Sequence, residues 1–211
     1  MPLNVLLTDY AWPDLDIERR ILAAAGAELI VAERSEPASL AALAADADAI
    51  MTNWARVDSI VLAAAEKCRI VARLGIGLDN IDVEFAARRG MIITNVPDYC
   101  LIEVAEHALA LILALARKVA YYHLETKQGR YQLQAGPALR RIEGQTLGIV
   151  GFGRIGQKLA EKAAPLGLRI LGTSLRRRPL PAGVEWRDLD ALLAECDYVS
   201  LHAPLTPQTR H

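Results

Sequence analysis

Three glycines in the run Gly151-Phe152-Gly153-Arg154-Ile155-Gly156 have the spacing that holds a pyrophosphate. The run closes the apolar stretch Thr146-Leu147-Gly148-Ile149-Val150 and opens a helical stretch from Gln157 to Ala164. That is the strand, glycine turn and helix order of a dinucleotide-binding βαβ unit. The first glycine permits a tight turn, the second lets backbone approach the pyrophosphate, and the third lets helix and strand pack closely, while the helix N-terminus points N–H groups at the anion. The leading ligand is therefore a nicotinamide dinucleotide, with all six residues of the run as cofactor-binding candidates. A Gly-rich turn without a ligand is the alternative.

The choice of dinucleotide turns on the end of the second strand, Leu168 to Thr173. An NAD-binding unit carries an acid about 20 positions past the glycines, because a carboxylate accepts from the ribose 2′-hydroxyl and repels a 2′-phosphate. Here the place reads Thr173-Ser174-Leu175, and Arg176-Arg177-Arg178 follow. Guanidinium groups beside a hydroxyl suit a 2′-phosphate. NADP(H) is thus expected in preference to NAD(H), with Ser174 and Arg176 first and Arg177 next, against a merely solvated basic loop.

The elements that position this turn follow from hydrophobic periodicity. Val5 to Thr8, Glu28 to Ala32, Ala49 to Thr52, Arg69 to Ala72 and Met91 to Thr94 read as strands, alternating with helical stretches at Ile17 to Ala25, Ser39 to Ala45, Ser59 to Ala65 and Val83 to Arg88. This series predicts a parallel sheet with helices on both faces. Asn95-Val96-Pro97-Asp98-Tyr99 breaks the rhythm, and a helix apolar on nearly every face is expected from about Leu101 to Tyr122, lying between two lobes. A polar arm, Glu125 to Glu143, leads into the glycine-motif strand. The second lobe then offers Arg169 to Thr173, a helix at Asp188 to Ala194 and a third strand at Tyr198 to Leu201. The expected fold class is α/β: two Rossmann-like parallel-sheet lobes, flavodoxin-like then dinucleotide-binding, the second incomplete. The domains are residues 1–100 for substrate and 101–211 for the helix and cofactor lobe.

Bulk composition narrows the function classes. The 24 basic and 25 acidic residues give a formal charge of −1, which offers no footprint for nucleic acid or an anionic membrane. Cys68, Cys100 and Cys196 include no CxxC pair, so neither a disulfide framework nor a zinc site is expected, and a reducing cytoplasm is the default. Met1-Pro2-Leu3-Asn4 lacks a basic n-region and apolar core, and the longest apolar run, Ala108 to Ala116, is too short for a membrane span.

Three segments in this order resemble the D-isomer-specific 2-hydroxyacid dehydrogenases, a group that includes phosphoglycerate dehydrogenase, glyoxylate/hydroxypyruvate reductase and the C-terminal-binding-protein corepressors. They are Val71-Ala72-Arg73-Leu74-Gly75-Ile76-Gly77-Leu78-Asp79-Asn80-Ile81-Asp82, then Thr94 to Cys100 continuing into Val104-Ala105-Glu106-His107-Ala108-Leu109, then the glycine motif. Val199 to Thr209, with His202, Ala203 and Pro204, resembles the family's cofactor-side loop. The resemblance covers nearly the whole chain. It implies a first lobe for substrate, a second for cofactor, and a homodimer through the 101–142 region. It also implies that Leu74, Gly75, Ile76 and Gly77 present backbone N–H groups to the carboxylate of a small 2-keto or 2-hydroxy acid, glyoxylate and hydroxypyruvate being the examples. A plain strand-to-helix turn capped by Asn80 or Asp82 is the bland alternative.

Reduction of a keto acid also needs a proton donor and a cation for the carboxylate. In the resembling family these are an arginine and a histidine paired with a glutamate, all downstream of the region matching Leu201 to His211, so no catalytic residue is assigned here. His107, Glu106 and Cys100 are read as structural. The chain is accordingly expected to be a C-terminally truncated dehydrogenase with little turnover by itself and an unprotected strand at Tyr198 to Leu201. The competing reading from another class is a dinucleotide-sensing binding protein of corepressor type.

Overall fold

Apolar residues that alternate along a strand can serve two helix layers at once, and Leu3–Leu7 shows it: Leu6 enters one core with Leu40, Ile50, Val61, Leu62 and Val71, whereas Val5 and Leu7 enter the other with Leu15 and Leu29. The computed structural model describes residues 2–131, 136–177 and 179–210. The chain divides into two units, Met1–Tyr99 and Cys100–His211.

The first unit runs β1 (Leu3–Leu7), α1 (Asp16–Ala24), β2 (Ala27–Val31), α2 (Pro37–Ala44), β3 (Ala49–Thr52), α3 (Ser59–Ala64), β4 (Ile70–Arg73), α4 (Val83–Arg88) and β5 (Ile92–Thr94). All pairings are parallel, in the order β2-β1-β3-β4-β5. This is the flavodoxin-like order, whose direction reverses between β1 and β3. Asp58 caps α3 through Ile60 N and Val61 N, and Asp82 caps α4 through Phe85 N. Each cap accepts backbone donors that the first helical turn leaves without a partner.

The second unit runs α5 (Leu101–Ala116), α6 (Val119–Lys127), β6 (Thr146–Val150), α7 (Arg154–Ala163), a 3-10 turn at Ala164–Leu166, β7 (Arg169–Thr173), β8 (Val184–Trp186), α8 (Leu189–Glu195) and β9 (Tyr198–Leu201). Its sheet is again all parallel, ordered β8-β7-β6-β9. The core joins Leu147, Ile149 and Ile170 of the sheet to Leu159, Ala160 and Ala163 of α7 and to Ala105 and Ile112 of α5.

Three expectations need correction. The helix from Leu101 does not continue to Tyr122: it ends at Ala116, and Lys118 takes a left-handed φ of 54° before α6 begins. Nor is α5 buried all round, since Ala105, Ile112 and Ala116 are buried while Leu111 and Leu115 are 53% and 64% exposed. Tyr198–Leu201 is the fourth strand rather than the third, because Val184–Trp186 pairs with β7. This three-residue strand is pinned by a lattice of charges. Arg169 donates to Glu185 at 2.7 and 2.9 Å and to Glu195 at 3.1 Å, while Arg187 donates to Glu195 at 2.8 Å and Glu185 at 2.9 Å. The two arginines pull the Glu185 carboxyl down to about 2, Arg169 contributing most by its hydrogen bonds. At the other edge, β9 leaves Leu201 74% exposed.

Candidate functional site

In the second unit, the cofactor candidates converge on the carboxyl edge of the sheet. Gly151 leaves β6 with a φ of 93°, a conformation that costs glycine little and other residues much. Its N–H, like that of Phe152, donates to the Thr173 carbonyl at the end of β7. A Cβ on Gly151 would fall on the backbone of His202 and Ala203 at the end of β9, where His202 N also donates to the Val150 carbonyl at 2.7 Å. The motif, the end of β7 and the loop His202-Ala203-Pro204 are thus locked together. Direction of connection reverses between β6 and β9, the place where open α/β sheets bind ligands.

The other two glycines divide the labour. A Cβ on Gly156 would lie 2.8 Å from the Gly151 carbonyl and 3.0 Å from Ile149, so close packing of α7 on β6 demands glycine. A Cβ on Gly153 would meet nothing within 4 Å, and its φ of −86° suits any residue. Folding therefore does not need glycine at 153. The open space lies at the N-terminus of α7, which has no side-chain cap, and a helix start with spare N–H groups favours an anion. A dinucleotide pyrophosphate fits a cradle of this kind, since a Cβ at 153 would occupy the approach. Phe152 itself is buried, its ring lying against Gly172 of β7 in a position that a Cβ there would obstruct at 2.7 Å. Arg154 begins α7, and Ile155 is half-buried on it.

At the end of β7, Ser174 Oγ donates to the Arg176 carbonyl at 2.9 Å, so Ser174 braces the turn that carries the arginines. Arg176 is exposed, and the Arg177 guanidinium lies over the Trp186 ring, 5.6 Å from its centroid. Arg178 lies outside the described residues, as do residues 132–135 of the polar arm. His202 pairs with Ser200 through Nε2 and Oγ at 2.9 Å, and burial lowers its pKa, so the ring is neutral at pH 7. Cys100 stands at the N-cap of α5, and Glu106 pairs with Lys162 of α7 at 2.8 Å.

The first unit has its own glycine turn, also at a carboxyl edge. Leu74 N donates to the Thr52 carbonyl, Val96 N to the Gly75 carbonyl and Asn95 Nδ2 to the Ile76 carbonyl. Gly75 and Gly77 do not have positive φ. They are small because a Cβ would meet the Arg73 guanidinium at 2.5 Å or the Asp79 carboxylate at 2.8 Å. Asp82 is the helix cap, whereas Asn80 turns inward and donates to the Ala55 carbonyl at 2.9 Å while its Oδ1 accepts from Arg73 Nε at 3.2 Å. Arg73 also reaches Asn53 Oδ1 at 3.4 Å. Held by amide oxygens rather than a carboxylate, it keeps a net positive charge beside the turn.

Sequence reasoning missed this polar set, and Asp9 with it. The Asp9 carboxylate accepts from Asn53 N, Trp54 N and Ala55 N at 3.0, 2.7 and 3.0 Å and from Thr8 Oγ1 at 2.8 Å. Burial works against the charge, but these donors outweigh it and hold the carboxyl below its ordinary range. The signal was positional: each of Asp9, Asn53 and Arg73 ends or follows a parallel strand at its carboxyl end, where functional groups gather. Among the described residues no group of acids, cysteines and histidines is placed to hold a metal, and no helix is long and apolar enough to cross a membrane.

Comparison with known proteins bears on the same elements. Residues 109–211 match the family description "D-isomer specific 2-hydroxyacid dehydrogenase, NAD binding domain". The chain is 37% identical to the hydroxypyruvate reductase of Thermotoga maritima over 183 residues, 86% of this chain and 60% of that protein. It is 42% identical to the glyoxylate reductase of Thermococcus kodakarensis over 176 residues, 79% of this chain and 53% of that protein. The chain therefore spans little more than half the length of these relatives. Among solved structures, the TT0316 protein of Thermus thermophilus superposes with a TM-score of 0.85 at 33% identity, covering 98% of this chain and 67% of that one.

Proposed function

The chain belongs to the D-isomer specific 2-hydroxyacid dehydrogenase family, and on that premise we propose that it forms the substrate and cofactor cradles of an NADP(H)-dependent reductase of small 2-keto acids such as glyoxylate or hydroxypyruvate. One observation carries the cofactor preference: β7 ends at Thr173, Ser174 follows with no carboxylate, and the next charged groups are Arg176 and Arg177. A 2′-phosphate meets two cations there and no repelling acid.

The geometry supports the following roles. Gly151 and Gly156 shape the turn, the open side of Gly153 receives the pyrophosphate at the start of α7, and the His202-Ala203-Pro204 loop closes the carboxyl edge beside it. When bound, the cofactor supplies the hydride. In the first unit, the backbone N–H groups of Gly75, Ile76 and Gly77 and the Arg73 guanidinium take the substrate carboxylate; Leu74, expected to contribute as well, has its N–H committed to the Thr52 carbonyl at 2.8 Å and serves to anchor the turn. Asp9 fixes the Asn53-Trp54-Ala55 loop, and through Asn53 it steadies Arg73. A homodimer is proposed through α5 and α6. Val104, Leu111 and Leu115 form a second stripe on α5, away from the stripe packed in the core, and Val119 and Leu124 of α6 are also exposed. Exposed apolar stripes of this kind mark association surfaces.

Calorimetric titration with NADPH and NADH side by side tests the proposal. Tighter NADPH binding, lost when Arg176 and Arg177 become alanine, is the expected result. Equal or NADH-preferring binding would refute the 2′-phosphate argument, and sedimentation velocity at micromolar protein checks the dimer.

A further inference from the structure

Trp186 sits at the carboxyl end of the short edge strand β8, opposite Gly172 of β7 and outside the glycine turn. Its neighbours on both sides, Glu185 and Arg187, belong to the charge lattice that ties β8 to Arg169 of β7 and Glu195 of α8. The strand is thereby fixed although it is only three residues long. The ring in turn lies under the Arg177 guanidinium at 5.6 Å from its centroid. Among the described residues no hydrogen bond or ion pair occupies Arg177. Together with Pro179, Leu180 and Val184, the two residues line an open hollow of about 480 Å³ to which no acid contributes. The nearest acid in sequence, Glu185, is already committed to Arg169 and Arg187.

A long arginine side chain on an exposed turn loses much rotamer freedom when it binds a phosphate. Cation–π contact with an indole face offsets that loss in advance and leaves the in-plane N–H donors turned outward, ready to fork onto two oxygens. We propose that Trp186 is a positioning residue for 2′-phosphate selectivity: its ring holds Arg177 at the end of β7, so that the cradle distinguishes a 2′-phosphate from a 2′-hydroxyl. The inference rests on the NADP(H) reading above and assigns part of that selectivity to a residue that touches no cofactor atom.

The test uses the 211-residue chain, with NADPH, NADH and 2′,5′-ADP as calorimetric probes and a melting curve for each variant. Trp186→Leu is expected to weaken NADPH and 2′,5′-ADP by about fivefold while leaving NADH unchanged. Trp186→Phe keeps an aromatic face and is expected to fall between, so that selectivity runs in the order Trp, Phe, Leu. Because Phe preserves the packing, the order of Trp and Phe alone decides the matter should the leucine variant fail to fold. Equal losses for NADPH and NADH, or a phenylalanine variant as selective as the wild type, would overturn the role of Trp186. A wild-type chain without NADPH preference would overturn the cofactor reading and this inference with it. Wild-type preference that survives Trp186→Leu would leave the cofactor reading standing and sink this inference alone.

Discussion

The two glycine turns, Leu74 to Gly77 in the first unit and Gly151 to Gly156 in the second, both sit at the carboxyl ends of parallel strands, yet they are glycine-rich for different reasons. In the second unit backbone makes the demand: Gly151 needs its left-handed φ, and a Cβ there or on Gly156 would strike main chain. In the first unit the obstacles are side-chain ends, the Arg73 guanidinium and the Asp79 carboxylate, which move at modest cost. A backbone obstacle fixes the turn of the second unit outright, whereas a side-chain obstacle held only by hydrogen bonds to the Asn80 and Asn53 amide oxygens can yield by a small shift. Gly153 stands apart from both groups, since nothing in the protein demands it.

Substitutions should expose that difference. Gly151→Ala combines a strained φ with a backbone clash and is expected to destabilise the second unit by about 3 kcal/mol or more. Melting followed through Trp186, the tryptophan of that unit, checks this, and a wild-type melt would refute it. Asp9→Ala releases three backbone donors around residues 53–55 and is expected to cost the first unit about 2 kcal/mol, read in urea from Trp12 and Trp54. Gly75→Ala displaces only the end of Arg73 and is expected to cost about 1 kcal/mol. A loss as large as that of Gly151→Ala would erase the distinction between the turns.

Acid should also separate the units. Glu185 has a folded pKa of about 2 against an ordinary 4.5, so the stability it contributes is full above the higher value and is lost as pH falls through that window. Asp9 behaves in the same direction, below its ordinary 3.8. His202 adds a loss in the second unit as pH falls below its ordinary 6.5, because burial depresses its folded pKa and the unfolded chain takes up the proton first. The second unit is therefore expected to weaken at higher pH than the first. Fluorescence of Trp186 against that of Trp12 and Trp54 during an acid titration checks the order.

Strong local signals made most of the fold legible in the sequence. The alternation of apolar strands and alanine-rich helices gave the α/β class, and the glycine run located the β6-to-α7 turn. The strand β8 escaped notice because Val184-Glu185-Trp186 is too short for alternation to show and is held by ion pairs from β7 and α8. The break after Ala116 escaped because Lys118 adopts a backbone conformation that a glycine would normally announce. The cluster of Asp9, Asn53, Arg73 and Asn80 joins four separate stretches of chain, so only the parallel topology brings it together.

Gly153 offers the most direct test, because a Cβ there meets nothing within 4 Å and its φ of −86° suits any residue. In Gly153→Ala, melting is expected to stay within about 1 kcal/mol of wild type, while the dissociation constant for NADPH, measured by calorimetry, rises at least about tenfold. Unchanged NADPH affinity, or a loss of affinity matched by a loss of folding, would contradict the claim that this turn is built for a dinucleotide.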